Sequence, residues 1–151
     1  MKKRFRKLSH SIYECKYHVV FCPKYRHRIL KDEIGQYVEH LIYQLSAQKA
    51  DVEIVELNVQ PDHVHLIIWI PPKYAVSHVM GYLKGKTALK MFARYPQVGK
   101  QYWGRHFWSQ GYCVSTVGID EDQIRVYVRW QEKQEKQLEA IQGNYLIKKE
   151  C

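Results

Sequence analysis

The sequence predicts an α+β fold whose elements follow the order β-α-β-β-α-β, with an additional helix at the C-terminal end. Segments rich in β-branched and aromatic residues alternate with segments whose apolar residues recur at helical spacing. No internal repeat, low-complexity segment or Pro/Gly/Ser-rich linker divides the 151 residues, of which 46% are hydrophobic. We therefore expect one domain over residues 1–151, large enough to bury its own core.

The first strand and the first helix flank a basic loop. Residues 13–22 are β-branched and aromatic and stop at Pro23, which is typical of a strand that ends in a turn. The basic loop 23–28 follows, and over 31–50 the apolar residues return at helical spacing. Because that spacing gives one apolar stripe, it predicts a helix that packs on a sheet.

The middle of the chain predicts two consecutive strands and a second helix. Apolar and polar residues alternate over 52–60, which indicates a strand with one buried face. The apolar side of this strand consists of Val55, Leu57 and Val59. A tight connection at Pro61 and Asp62 leads into an apolar strand over 63–70, and helical spacing returns over 76–94.

The last part of the chain predicts a fourth strand and a third helix. Residues 111–118 read as a strand between glycines, and Asp120 with Gln123 resembles an N-cap and its capping-box partner. These residues open a helix over 121–140, and a charged tail covers about 132–151. The first six elements match the ferredoxin-like and RRM-like order, a four-stranded antiparallel sheet with two helices on one face. The opposite face of the sheet, which these two helices do not cover, is available for a functional site.

Composition indicates a polyanionic partner and an intracellular location. The 24 Lys and Arg residues exceed the 15 acids, for a net charge of +9, so nucleic acid is the first candidate. No apolar run is long enough to span a membrane, and no apolar signal region follows the basic N-terminus, so we expect a cytoplasmic protein. The four cysteines are scattered and contain no C-x-x-C pair, which favours reduced thiols.

Two histidines of the third predicted strand form the first candidate site. His63 and His65 are separated by one residue, so they point to the same side, away from the apolar residues that face the helices. Along a strand they lie about 7 Å apart, a span that one metal ion can bridge with modest ring tilting. The alternative is that two histidines on a solvated face have no function.

The last predicted helix supplies a second group of candidates. Ile124, Tyr127, Val128 and Gln131 share one helix face. A helix packed on the open sheet face could bring the phenol of Tyr127 and the amide of Gln131 to the histidines. Two imidazoles and an amide oxygen leave a divalent ion with open positions for a phosphate, with Tyr127 as nucleophile. Mg²⁺ normally prefers more carboxylate ligands than this, so Mn²⁺ is also reasonable. The alternative is that Tyr127 is only a buried packing residue and Gln131 only a polar residue near it, with no role in a site.

Several stretches of the chain resemble the HUH single-tyrosine transposases of small bacterial insertion sequences. "PDHVHL" resembles their His-hydrophobic-His motif, and Tyr127 with Gln131 resembles their Tyr-x-x-x-Gln helix. "KYHVVFCPKYR", "MGYLKGKTA" and "RHFWSQGYCVSTVG" are also similar to stretches of such proteins. The resemblance extends from about residue 10 to 135, and these blocks in this order are highly specific.

The resemblance implies a bacterial or archaeal enzyme that cuts and rejoins single-stranded DNA at the ends of its element. By position, Tyr127 is the nucleophile of a 5′-phosphotyrosine intermediate, and His63, His65 and Gln131 bind Mg²⁺ or Mn²⁺. It also implies DNA ends folded as imperfect hairpins, a homodimer in which the tyrosine helix of one subunit can complete the other site, and no nucleotide cofactor.

Basic residues in three places are candidate DNA contacts. They are Lys24, Arg26 and Arg28 in the first loop, Lys84, Lys86 and Lys90 on the second helix, and Arg105 before the fourth strand. Gly81 and Gly85 lie one turn apart on that second helix, and since glycine is unfavourable in a helix interior, we expect something to approach the helix closely there. The alternative is a helix that packs tightly on the sheet.

Three other functions fit parts of the sequence. An RRM-like RNA-binding module has the same order of elements, but it predicts paired aromatic residues on the central strands, where this chain has histidines. A metal-dependent nuclease that uses water would not need Tyr127. A domesticated repeat-associated tyrosine transposase shares the motifs and would be separated by the neighbouring genome sequence.

Overall fold

A computed structural model describes residues 6–7, 12–13, 15–101, 106–116 and 121–142. The strands are β1 (Arg6–Lys7), β2 (Ile12–Tyr13), β3 (Lys16–Phe21), β4 (Glu53–Gln60), β5 (His63–Trp69) and β6 (Cys113–Ser115). The helices are α1 (Asp32–Ser46), α2 (Val76–Arg94), α3 (Pro96–Gln101) and α4 (Glu121–Gln142), and a 3-10 turn covers Lys24–Arg26.

The main sheet has four antiparallel strands in the order β4-β5-β3-β6. This is the strand order of the ferredoxin-like arrangement, so the predicted α+β fold is confirmed. The short pair β1-β2 forms a separate ribbon, which the sequence did not indicate because each strand has only two residues. Helix α3 was also not predicted, although Pro96 at its first position is typical of a helix start.

The predicted element ends differ from the observed ones at several places. The first helix stops at Ser46 instead of residue 50, and the fourth strand covers only Cys113–Ser115 among the described residues. The capping residue predicted at position 120 lies outside the described residues. Helix α4 continues to Gln142, so the first part of the predicted charged tail is helical.

The alternation predicted for β4 is interrupted by a bulge. The pairing with β5 shifts between Ile54 and Glu56, so Val55 is an extra residue in the strand. Since one inserted residue reverses the side on which the earlier residues point, Ile54 takes the place predicted for Val55 beside Leu57 and Val59. The prediction that Val55 faces the core is therefore wrong.

The core lies between the sheet and the two long helices. Val64, Leu66 and Ile68 of β5 are fully buried, as are Val19 and Phe21 of β3. They pack with the apolar stripe of α1, which consists of Val38, Leu41, Ile42 and Leu45. Each such side chain contributes roughly 1.5–3 kcal/mol by leaving water, so this layer holds the sheet rigid.

The opposite face of the sheet carries α4. Val128 of α4 packs against Val20 of β3, with Cys113 of β6 and Tyr127 at the edge of the contact. Val20 is the cross-strand partner of His65, so the tyrosine helix lies on the histidine face of the sheet. Among the helices of the described part, none combines the length and the low polarity needed to cross a membrane.

The glycines of α2 do not meet another part of the described chain. A Cβ atom added at Gly81 or Gly85 would contact nothing within 4 Å, and both residues are exposed. They line a groove of about 430 Å³ between α2 and the segment 106–112. Among the described residues nothing makes the predicted close approach, because the glycine side of α2 is turned away from the sheet, and an approach by another molecule stays a prediction.

Candidate active site

The histidine pair lies on β5, on the face covered by α4. His63 and His65 are both half-buried, while the residues between and after them, Val64 and Leu66, point into the core. His65 is paired with Val20 on one side and with Asn58 on the other. The alternation of the strand therefore sets both imidazoles on one side, as the sequence predicted.

Asp62 holds the ring of His63. Its Oδ1 atom lies 3.0 Å from Nδ1 of His63, and the residue is 8% exposed. Burial alone would raise the pKa of Asp62, but the hydrogen bonds and charges of His63 and Arg26 bring its pKa below the ordinary value. A carboxylate on Nδ1 fixes the ring orientation and leaves Nε2 available, which is the usual arrangement around a metal-binding histidine.

His18 borders the same face. Its ring stacks on that of His65, with centroids 6.3 Å apart and an interplanar angle of 28°. The Nδ1 atom of His18 is buried and has no hydrogen-bond partner among the described residues. The pairing of β3 with β5 brings His18 to this face, beside His65.

Tyr127 is half-buried against the sheet. Burial raises the pKa of its phenol far above the ordinary value, and the nearby acidic groups of Cys22, Cys113 and Glu135 raise it further. Its ring also lies 6.3 Å from that of Trp130, one turn along the helix. The phenol is therefore held in its neutral form at neutral pH, in a restricted position next to β3 and β6.

Gln131 follows Tyr127 by one helical turn and is only 7% exposed. Its amide nitrogen Nε2 donates a 2.6 Å hydrogen bond to the carbonyl oxygen of Gln110. That bond uses the donor end of the amide and leaves the carbonyl oxygen Oε1 as an acceptor. The sequence indicated nothing about this contact with Gln110.

The predicted donor set has the chemistry of a divalent-cation site. Within the described ranges, no group of three His, Cys, Asp or Glu residues is arranged to hold a metal ion, so a site here depends on the amide of Gln131. His63 is oriented through Nδ1, His65 shares its face, and Gln131 belongs to the helix that packs on that face. Two imidazoles and one neutral oxygen leave open positions for another ligand, and they suit Mn²⁺ better than Mg²⁺, which prefers more oxygen ligands.

The basic loop lies against acidic side chains. Lys24 is 3.3 Å from the buried Glu135, and Arg26 is 2.9 Å from Asp62 and 3.2 Å from Glu132. Arg28 is largely exposed, with its guanidinium 3.9 Å from Asp62. Lys24 and Arg26 therefore have protein partners, and their predicted DNA contacts stay predictions.

The basic residues of α2 divide into two kinds. Lys84 donates hydrogen bonds to the carbonyl oxygens of Ser109 and Gly111, at 2.8 and 2.6 Å, and so holds the segment that contains Gln110. Lys86 and Lys90 are exposed on the outer side of the helix. Arg105 lies outside the described residues.

The fold and these residues define a transposase of the IS200-like class. Residues 11–131 match the family model described as "Transposase IS200 like", and this range includes both histidines, Tyr127 and Gln131. The chain belongs to this family. The predicted resemblance to insertion-sequence transposases is therefore confirmed.

Individual relatives agree with this assignment. The chain is 38% identical over 138 residues to the transposase for insertion sequence element IS200 of Salmonella typhimurium, covering 91% of this chain and 90% of the relative. It is 34% identical over 125 residues to the ISDra2 transposase TnpA of Deinococcus radiodurans, covering 82% of this chain and 89% of the relative.

Two solved structures resemble the fold. A crystal structure of a Deinococcus radiodurans R1 protein described as a transposase superposes with a TM-score of 0.77 at 32% identity, covering 83% of this chain and 97% of the other. A REP-associated tyrosine transposase bound to a REP hairpin has a TM-score of 0.51 at 15% identity, covering 93% and 75%, which shows a shared fold alone.

Proposed function

We propose that this transposase cuts and rejoins single-stranded DNA at the ends of an insertion sequence through a covalent bond between Tyr127 and a 5′-phosphate. The observation that carries the proposal is the contact of α4 with the histidine face, in which Val128 and Tyr127 pack on Val20, the strand partner of His65. The phenol and the two imidazoles thus belong to one face of the sheet, and Gln131 follows Tyr127 by one turn on the same helix.

The reaction is an exchange of phosphate esters. The phenol of Tyr127 loses its proton, its oxygen forms a bond to the phosphorus, and the bond from phosphorus to the 3′-oxygen of the preceding nucleotide breaks. The released 3′-oxygen takes up a proton. Since one ester replaces another, the 3′-OH of a second strand can later attack the phosphotyrosine and release the enzyme, so no nucleotide cofactor is needed.

The surrounding residues orient the groups that would act on the phosphate. His63, His65 and Gln131 would hold Mg²⁺ or Mn²⁺, which when bound polarises the phosphate and stabilises its developing charge. Asp62 fixes the ring of His63, and the carbonyl of Gln110 fixes the amide of Gln131. Preorganised groups of this kind lower the barrier because they do not have to reorganise during the reaction.

The partners of the reaction are single-stranded DNA and a second copy of the chain. DNA ends folded as hairpins are the expected substrate, in line with the hairpin bound by the distant REP-associated relative. The net charge of +9 favours such a polyanion, and the exposed Lys86 and Lys90 are available for phosphate contacts. A homodimer and a cytoplasmic location complete the proposal.

Labelled oligonucleotides from the two flanks of the gene test the proposal. With Mn²⁺ or Mg²⁺, the protein should form an adduct that survives denaturing electrophoresis and retains a 3′-end label, while a 5′-end label leaves on a fragment with a free 3′-OH. Tyr127→Phe should abolish the adduct, and Tyr43→Phe, on the exposed side of α1, should not. An adduct that retains the 5′ label would contradict the polarity, and chelator-resistant cleavage would contradict the metal role.

A further inference from the structure

The 3-10 turn Lys24–Arg26 has an unusual backbone. Tyr25 and Arg26 have φ angles of 57° and 56°, in the left-handed region that non-glycine residues rarely adopt. Two such residues in succession persist only where surrounding contacts hold them. The contacts of this turn, rather than its own preference, therefore account for its shape.

Arg26 connects the two halves of the candidate active site. Its Nε atom is 2.9 Å from Oδ2 of Asp62, and Asp62 uses its other oxygen to hold His63. Its Nη1 atom is 3.2 Å from Oε1 of Glu132, the residue that follows Gln131 on α4. One guanidinium thus joins the histidine strand to the tyrosine helix.

A second contact fastens α4 to the same turn. Oε1 of Glu135, a residue only 8% exposed, accepts a 2.8 Å hydrogen bond from the backbone N–H of Tyr25 and lies 3.0 Å from the hydroxyl of Ser109. Its Oε2 atom is 3.3 Å from Nζ of Lys24. The left-handed turn directs both the N–H and the lysine toward α4.

We propose that Arg26 is a positioning residue that sets the Tyr127 helix against the histidine strand, with the Glu135 contact as its support. The Nε and Nη1 atoms of the Arg26 guanidinium both contact carboxylates. The side chain of Arg26 is only 27% exposed. A phosphate would have to displace Asp62 or Glu132 to use the same nitrogen atoms. On this proposal Arg26 does not contact DNA, and the catalytic part of its role rests on the proposed function.

The test compares Arg26→Gln with Arg28→Gln, two arginines that differ in exposure and in contacts. Arg26→Gln should lower kcat for adduct formation at least tenfold and raise the Mn²⁺ concentration for half-maximal rate. Its affinity for single-stranded DNA and the salt dependence of that affinity should stay within twofold of wild type. Arg28→Gln, whose side chain is 67% exposed, should show the opposite pattern, with weaker DNA binding and an unchanged Mn²⁺ requirement.

Two results would overturn the proposal. One is a loss of DNA affinity in Arg26→Gln, with a smaller salt slope and unchanged kcat, since that is the signature of a phosphate contact. The other is additivity in a double-mutant cycle: if Arg26 acts through Glu132, the Arg26→Gln/Glu132→Gln double variant should be no slower than the slower single variant. Arg26→Lys should recover only part of the activity, because an ammonium cannot bridge both carboxylates with the same geometry.

A readout without DNA or metal separates this proposal from the proposed function. Amide hydrogen exchange over 126–141 should accelerate in Arg26→Gln and in Glu135→Gln, and it should be unchanged in Arg28→Gln. If wild type forms no adduct but the exchange differs as expected, the proposed function fails and the positioning contact stands. If the exchange of α4 is the same in all of these proteins, the positioning role is wrong whatever the enzyme does.

Discussion

At the scale of single residues, the chemistry of Tyr127 depends on its burial. The phenol packs beside Val20 and Cys113 on the sheet, and burial is the largest cause of its raised pKa. A phenol is a weak nucleophile until it loses its proton, so the same packing that positions the oxygen also keeps it inactive at neutral pH. The raised pKa therefore gives the reaction a predictable pH dependence.

The rate of adduct formation should rise with pH. Because the attacking form is the phenolate and its pKa lies above the assay range, the rate at saturating DNA should increase up to tenfold per unit between pH 7 and pH 9. Single-turnover rates in buffers of constant ionic strength measure this. A rate that is independent of pH over this range would contradict the view that loss of the phenol proton limits the reaction.

The buried thiol of Cys22 should make the folding stability decrease as the pH becomes alkaline. Burial raises the pKa of its thiol to about 12, from an ordinary value of 9.0. A neutral thiol is favoured in the folded state, so its contribution is complete below pH 9 and is lost as the pH rises toward 12, by at most about 1.4 kcal/mol per unit.

Urea unfolding at several pH values measures the contribution of Cys22. The difference in unfolding free energy between wild type and Cys22→Ala should be constant up to pH 9 and shrink above it. Val19→Ala, at a buried position whose side chain does not titrate, serves as the control and should show no such trend. A constant difference through pH 11 for Cys22→Ala would contradict the assigned pKa.

The sequence was informative about residues whose roles follow from short-range spacing. His63 and His65 share a strand face, and Tyr127 with Gln131 shares a helix face, because both periods are local. Glu135 is different: it meets the backbone of Tyr25, 110 positions away, and in the sequence it is one acid in a charged tail. Asp62 read as a turn residue, and only the structure shows its bond to His63.

At the scale of secondary-structure elements, two glycines lower the stability of α2. Gly81 and Gly85 are exposed helix positions where a Cβ would meet nothing within 4 Å. Glycine in a helix interior costs about 0.5–1 kcal/mol relative to alanine. The two residues therefore lower stability at positions where the described structure has room for a methyl group.

Gly81→Ala and Gly85→Ala should each raise the free energy of unfolding by about 0.5–1 kcal/mol. Gly35→Ala on α1 is the matched control, since its Cβ would lie 2.9 Å from the carbonyl oxygen of Leu30 and should destabilise the protein. Thermal and urea unfolding of the three variants measure this. Destabilisation by the α2 substitutions would show that another part of the molecule does approach that helix.

The sequence predicted which segments form helices and strands better than it predicted which side of a strand each residue faces. The long helices and central strands follow from strong periodic patterns, which is why α2 begins and ends where the sequence indicated. The bulge in β4 left no such signal, and it moved Val55 out of the face predicted for it. The ribbon β1-β2 and the short helix α3 have too few residues to show a period.

At the scale of the whole molecule, the acidic residues are distributed unevenly along the sequence. None of the 15 acidic residues lies between Asp62 and Asp120, a stretch that includes both histidines, α2 and β6. All ionised side chains of this stretch are therefore basic, and its surface favours a polyanion. The acids of α4 and of position 62 are the ones that meet the basic turn at 24–26.

Binding of single-stranded DNA should weaken steeply with salt, and exposed lysines of α2 should contribute to that dependence. Each phosphate contact adds about 0.7 to the slope of log affinity against log salt for single strands. Lys86→Gln and Lys90→Gln should each reduce the slope by roughly that amount. Lys31→Gln, exposed at the start of α1, should leave the slope unchanged.

The most direct measurement is the identity of the residue that carries the DNA. After reaction with an element-end oligonucleotide, nuclease and trypsin digestion should leave a nucleotide on the peptide from residue 126 to residue 129, "VYVR", because trypsin cuts after Arg125 and Arg129. Mass spectrometry should place the 5′-phosphate on Tyr127. A nucleotide on any other peptide, or an undiminished adduct with Tyr127→Phe, would contradict the account.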